Sequence, residues 1–254
     1  MTATPDPADG WFPLARSEEL VRRHVAQAML LGREIALWRD DARAVNAWEN
    51  RCPHRGVRLS IGINDGTDLR CRYHGWRFAG GTGQCRFIPA QPDLAPSSML
   101  RPLVYRSAEA HGFVWASLGT PAEPPELPVT LDPAAFTLRS RFIEAPAATV
   151  AGQLAAGYRF APSIGLDPTA APVDARITRL DRYALMAEAD TGGTAVTVLF
   201  LLQPVDGGRA VLHGLVAAAP PGGDRLTVRR HHDFRLDLLR DAAEAAASPV
   251  RVVR

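Results

Sequence analysis

Cysteine, histidine, excess charge and long apolar runs are all scarce in this chain. Only three cysteines occur in 254 residues, at 52, 71 and 85, and so few thiols fit the cytoplasm rather than an oxidising compartment. The 29 basic and 27 acidic residues leave a net charge of +2, and the basic ones are scattered, so no nucleic-acid partner is expected. The densest basic run, Arg229-Arg230-His231-His232, reads as a solvated strand end. Met1 to Asp6 has neither a basic start nor an apolar core, so no signal peptide is expected there. The longest apolar stretch, Ala195 to Leu202, is far too short to span a bilayer, so no membrane is expected as a partner. Histidine is absent between His111 and His213. What remains is an ordinary globular composition, 46% hydrophobic, with length for one or two domains.

Against that background two short stretches stand out: Cys52-Pro53-His54-Arg55-Gly56 and Cys71-Arg72-Tyr73-His74-Gly75-Trp76, with sixteen residues between His54 and Cys71. Each carries one cysteine and one histidine. In a Rieske [2Fe-2S] cluster two thiolates hold one iron and two imidazoles the other, which is the set that Cys52, His54, Cys71 and His74 would supply. Pro53 stiffens its loop, and Gly56 and Gly75 let the backbone turn tightly beside the sulfides, where backbone N–H groups can reach the sulfurs. Zinc also accepts two cysteines and two histidines in tetrahedral geometry. Zinc-finger spacing usually pairs Cys with Cys and His with His, and the mixed loops here favour the cluster.

Residues 11–119 resemble the N-terminal Rieske domain of the large (alpha) subunit of Rieske non-haem iron oxygenases, in the branch of vanillate demethylase and phthalate dioxygenase. The resemblance rests on Trp11-Phe12-Pro13, Asn50-Arg51-Cys52-Pro53-His54-Arg55-Gly56, Cys71-Arg72-Tyr73-His74-Gly75-Trp76-Arg77-Phe78, Gly83-Gln84-Cys85, Ile88-Pro89-Ala90 and Gly112-Phe113-Val114-Trp115. Respiratory Rieske proteins add a disulfide across the two loops. With Cys85 left alone, and expected to pack as a small apolar side chain, no such staple can form. Trp76 stands where respiratory types resemble one another in carrying a serine that donates to the cluster. Fewer donors imply a potential near the low end of the Rieske range, roughly −150 mV, suited to electrons from a ferredoxin or flavin reductase.

The fold expectation is α+β: an N-terminal all-β domain over 11–119, a proline-rich linker over 120–134, and a second domain over 135–254. In the first, strands are predicted over 25–31, 35–39, 45–49, 69–71, 73–78, 84–88, 104–106 and 112–118, with a hairpin loop at 79–83. In the second they are predicted over 139–144, 176–180, 183–189, 194–203, 209–219 and 226–232. Gly192-Gly193, Asp206-Gly207-Gly208 and Pro220-Pro221-Gly222-Gly223 mark turns. A helix over about 234–247 should lay Phe234, Leu238, Leu239 and Ala242 on the sheet. Such a meander gripping a C-terminal helix resembles a shortened helix-grip catalytic domain of the same family.

That resemblance implies a second, mononuclear iron held by two histidines and a carboxylate. The family motif, Asn-x-x-Asp-x-x-His with a further His about five residues on, falls on Gly152 to Ser163. Aligned there, Ala155 replaces the bridging Asp, Tyr158 the first His and Ser163 the second. Asp233 or Asp237 could match the third ligand, although Asp233 also reads as a helix cap. A rearranged site from His213, His231 or His232, and one of these aspartates is the competing possibility. His231 and His232, if on a strand, would face opposite sides. No mononuclear Fe(II) and no catalytic residue are therefore expected, only a redox or structural subunit. The family implies trimers in which each cluster lies beside a neighbour's iron, so a homo- or hetero-trimer with a competent oxygenase homologue follows. The other expectation is an active monooxygenase or demethylase with an unorthodox iron site. Tyr158 and Arg159 would lie near the pocket mouth, with helix-end packing as their plain role.

Overall fold

The computed structural model describes residues 7–120, 123, 125–127, 129–160, 172–190, 195–218 and 224–248. The turns placed at 192–193 and 220–223, Ser163, and linker prolines 121, 124 and 128 lie outside the described residues. The chain divides into two compact units, Met1–Pro125 and Glu126–Arg254.

Unit 1 contains strands β1 (Phe12–Arg16), β2 (Val25–Leu30), β3 (Arg33–Arg39), β4 (Val45–Glu49), β5 (Ile63–Asn64), β6 (Asp68–Arg70), β7 (Arg77–Ala79), β8 (Cys85–Phe87), β9 (Val104–Ala110) and β10 (Phe113–Ser117). Six of them form an antiparallel sheet in the order β1-β10-β9-β4-β3-β2, and β5-β6-β7-β8 form a smaller meander. Hairpins β2–β3 and β9–β10 turn through Leu31-Gly32 and His111-Gly112, all four with positive φ, the mirror-image turn whose twist matches paired strands. The core joins both sheets: Trp38 and Trp48 meet edge to face at 5.2 Å, and Leu59, Leu69, Phe78, Cys52 and Cys71 are buried in the same cluster. Some strand boundaries change. Of the strand expected over 73–78 only Arg77 and Phe78 are extended, residues 72–74 forming a turn, and β9 runs on to Ala110 beyond the expected 104–106. Strands β1 and β5 are additional, β1 containing Pro13, which cannot donate to a ladder.

Unit 2 contains β11 (Phe136–Thr137), β12 (Arg141–Ile143), helix α1 (Ala147–Ala156), β13 (Arg159–Phe160), β14 (Val173–Asp174), β15 (Arg176–Arg179), β16 (Ala184–Asp190), β17 (Ala195–Pro204), β18 (Ala210–Ala218) and helix α2 (Arg225–Ala247). The sheet runs β11-β18-β17-β16-β15, with β12 also on β18. Alternate residues Val196, Val198, Phe200 and Leu202 of β17 face the same core as Val150 and Leu154 of α1 and Leu236 of α2. Sheet plus helices is the expected α+β arrangement.

The strand expected over 226–232 is the first two turns of α2. Asp224 caps it, accepting from the N–H groups of Leu226 and Thr227, and not Asp233, which lies inside the helix. The true buried face is Val228, His232, Leu236, Leu239 and Ala243, stepping by four and three. The stripe set by Val228 and His232 continues through Leu236 and Leu239, so Phe234 and Leu238 fall off it and are 61% and 46% exposed instead of covering the sheet. No helix among the described residues is long and apolar enough to cross a membrane.

At the centre of this sheet a Cβ on Gly214 would come within 2.8 Å of Leu138 Cδ1 and 3.2 Å of its Cβ. Gly214→Val is expected to lower stability by about 1–3 kcal/mol through overpacking, read as an earlier urea midpoint by far-ultraviolet circular dichroism.

Candidate metal centre

The two Cys/His loops share one backbone design. Cys52 N–H donates to Val57 O and Gly56 N–H donates back to Cys52 O, both at 2.8 Å. Cys71 N–H donates to Trp76 O at 2.8 Å, and Gly75 N–H to Cys71 O at 3.1 Å. Closing so short a loop twice over puts the glycine in the left-handed region, φ +74° at Gly56 and +71° at Gly75. A side chain would also be crowded there: a Cβ on Gly75 would lie 3.1 Å from Pro89 Cγ, and one on Gly56 3.2 Å from Arg51 Nε.

These loops bring all four sequence-predicted residues together, in two pairs. Cys52 and Cys71 are buried and their thiols are hydrogen-bonded to each other. That bond pushes Cys52 up and pulls Cys71 down. Backbone N–H groups of Tyr73 and His74 reach Cys71, and those of His54 and Arg55 reach Cys52, favouring the thiolates that a metal requires. His54 Nδ1 and His74 Nδ1 lie 3.1 Å apart. Desolvation first, then His74 and Arg55, hold His54 below the usual imidazole value, leaving it neutral with a lone pair to offer.

A tetrahedral zinc would need all four donors around one point. Here sulfur pairs with sulfur and nitrogen with nitrogen, and among the described residues no group of three or more His, Cys, Asp or Glu side chains converges on one point. Paired donors suit two irons bridged by sulfide. Trp76 is the neighbour that sequence reasoning left without a contact: its ring stacks on His54 at 4.4 Å with a 6° tilt. Tyr73 lies over His74 at 3.7 Å. Cys85, buried and raised by desolvation, packs in the core as a small apolar group.

In unit 2 the residues considered for a second metal are already engaged with other protein groups. Tyr158, in the first-His position, is buried with its Oη 2.8 Å from His232 Nδ1. Burial pushes the phenol up and pushes His232 down to about 3, so both are neutral. His213 is also buried, with Ser140 Oγ 2.8 Å from Nδ1 and Gln203 Oε1 2.9 Å from Nε2. Arg141 clamps the two candidate carboxylates, Nε to Asp237 Oδ1 at 2.8 Å and Nη2 to Asp233 Oδ1 at 3.0 Å. Arg141 was not singled out from sequence. Two aspartates four residues apart on one helix, facing a strand that carries arginine at an inward position, are the signal that could have found it. His231 and His232 sit on α2 rather than on a strand, and only His232 faces the core. Ala155 is exposed on α1.

The buried imidazole fixes a pH dependence. His232 takes no proton in the folded state until about pH 3, whereas unfolded histidine does so near 6.5. Between these values the unfolded chain binds the extra proton, so this contribution to stability is complete above about pH 6.5 and is lost as pH falls, by up to about 1.4 kcal/mol per unit. Relative to His232→Phe, the parent chain should lose urea resistance more steeply from pH 7 to pH 4; parallel curves would contradict a neutral buried imidazole.

Residues 10–98 match the family model of the Rieske [2Fe-2S] domain. Oxidoreductase NdmD of Pseudomonas putida is 37% identical over 247 residues, 94% of this chain and 40% of that protein. The 3-chlorobenzoate-3,4-dioxygenase oxygenase subunit of Comamonas testosteroni is 37% identical over 46% of the chain and 28% of its own length. The chain thus spans less than half the length of these curated relatives. Among solved structures, the Pseudomonas putida CBB5 NdmA QL mutant with theobromine superposes with a TM-score of 0.74 at 18% identity, over 97% of this chain and 85% of that one. The chain carries a Rieske [2Fe-2S] domain over residues 10–98, and its fold is the one seen in that solved structure.

Proposed function

We propose that this chain is a one-electron carrier of the Rieske oxygenase family, with a cluster held by Cys52, Cys71, His54 and His74, and that its C-terminal unit no longer activates oxygen. The cluster supplies one-electron oxidation and reduction. The chain's own residues do the rest. Buried Cys52 and Cys71 anchor the inner iron, while His74 is exposed and His54 half-buried, so the histidine edge faces solvent where a partner can approach. Trp76 covers one face of His54 and shields it from water. Ligand identity and exposure set the potential and the route of the electron.

The observation that carries this reading is the contrast between the two units. In unit 1 four donors converge in two pairs. In unit 2 each candidate ligand is spent on another protein group: Tyr158 on His232, His213 on Ser140 and Gln203, Asp233 and Asp237 on Arg141. On this reading the electrons come from a ferredoxin or flavin reductase and pass to a competent oxygenase subunit, in a homo- or hetero-trimer, within the cytoplasm.

Iron and acid-labile sulfide analysis with electron paramagnetic resonance should give about two of each per chain and one Rieske signal on reduction. His74→Ala should abolish that signal. A further iron bound stoichiometrically, lost in Asp237→Ala, would overturn the proposed division of labour.

A further inference from the structure

Unit 1 has a cavity of about 490 Å³, within the size range of small-molecule sites. It opens where β4 leaves the sheet after Glu49, between the turn at Gly32, the start of β3 and Tyr105 of β9. Of the charged groups that line it, Glu34 is already engaged: Arg58 Nε and Nη2 donate to it at 2.7 and 2.6 Å, and Asn50 Nδ2 at 3.3 Å. Arg33, Arg51 and Glu49 line the same cavity and have no ion pair among the described residues. Arginines without an ion pair occur elsewhere in this unit, at 43, 101 and 106, and by themselves mark no site.

The group that marks one is Tyr105. Only 7% of this residue is exposed, and its hydroxyl makes no hydrogen bond among the described residues. Nor is the oxygen sealed off from solvent, so it opens on the cavity that the residue lines. A hydroxyl drawn into the protein without a partner is costly, and a ligand that accepts from it relieves that cost. Burial first, then the Glu49 carboxylate, raise the phenol above its ordinary value, against an opposing pull from Arg33, so it stays protonated and able to donate. The same interactions bring Glu49 and Arg33 close to the hydroxyl. Two guanidiniums without a carboxylate of their own can each take one from a ligand in two parallel hydrogen bonds. Glu49 in the same space repels a bare dianion and calls for a donor facing it.

We propose that this cavity binds a small dicarboxylate that bears one amino or hydroxyl group, with its carboxylates on Arg33 and Arg51, its donor on Glu49, and Tyr105 Oη donating to a carboxylate oxygen. None of these four residues is a proposed cluster ligand, so the site stands apart from the carrier reading and from its test.

Succinate, malate and aspartate are matched probes, because they share one skeleton and differ in a single substituent. Each is titrated by calorimetry into the full chain as purified. Malate or aspartate should bind once per chain with a dissociation constant below about 1 mM, and about tenfold or more tightly than succinate, which leaves Glu49 unanswered. Which of the two binds better tells hydroxyl from ammonium. Tyr105→Phe should weaken binding about tenfold without lowering the urea midpoint, since the hydroxyl has no protein partner to lose. Arg33→Gln should also weaken it about tenfold. Arg106→Gln, beside Tyr105 in sequence but on the opposite face of β9, should leave it unchanged. Succinate or inorganic sulfate binding as tightly as the substituted acids would overturn the proposal. So would an affinity indifferent to Tyr105→Phe, a urea midpoint lowered by that variant, or no binding heat from any of the three acids at millimolar concentration.

Discussion

The structure of the site depends on two sulfurs being held against each other in a dry core. Cys52 and Cys71 belong to the cluster of side chains that contains Trp38, Trp48 and Phe78, and the backbone around each is closed by the same pair of hydrogen bonds. That closure needs a left-handed residue four positions after the cysteine, which is why glycine stands at 56 and 75. With both cysteines fixed from within, the histidines two and three residues on are carried outward to meet at their Nδ1 atoms. Burial of one donor pair and exposure of the other follow from a single loop design used twice.

Unit 2 shows the converse use of polar groups. Buried imidazoles and guanidinium groups are costly without partners, and here His213, His232 and Arg141 find them within the protein. Tyr158 and His232 form a neutral pair beside Phe200 and Phe160, and Arg141 neutralises Asp233 and Asp237 at once. A guanidinium on two carboxylates and a phenol on an imidazole hold α2 to the rest of the unit with side chains that could otherwise serve a metal. The same fold can therefore carry polar networks as internal supports.

Much of the fold and of the cluster site is legible in the order of residues. The ligand loops, their glycines and most strands of both units can be read because each depends on residues near in sequence: a positive φ, a two-residue turn, an alternating pattern. The first half of α2 cannot. Leu226 to His232 alternates well enough to pass for a strand, and only the cap at Asp224 together with the far core contacts of Val228 and His232 selects the helix. The partners of His213 are equally hidden, since Ser140 and Gln203 lie 73 and 10 residues away along the chain.

Residue identity and short-range spacing alone point to a Rieske [2Fe-2S] domain in unit 1 and single out Cys52, His54, Cys71 and His74 as its proposed ligands, because donor chemistry is a local property. How those atoms are grouped, and what the leftover polar groups do, is settled only in three dimensions. Pairing of sulfur with sulfur, the Arg141 clamp and the Tyr158–His232 contact each join residues from separate strands, loops or helices. Distances of that kind are set by packing of the whole core, which no local pattern records.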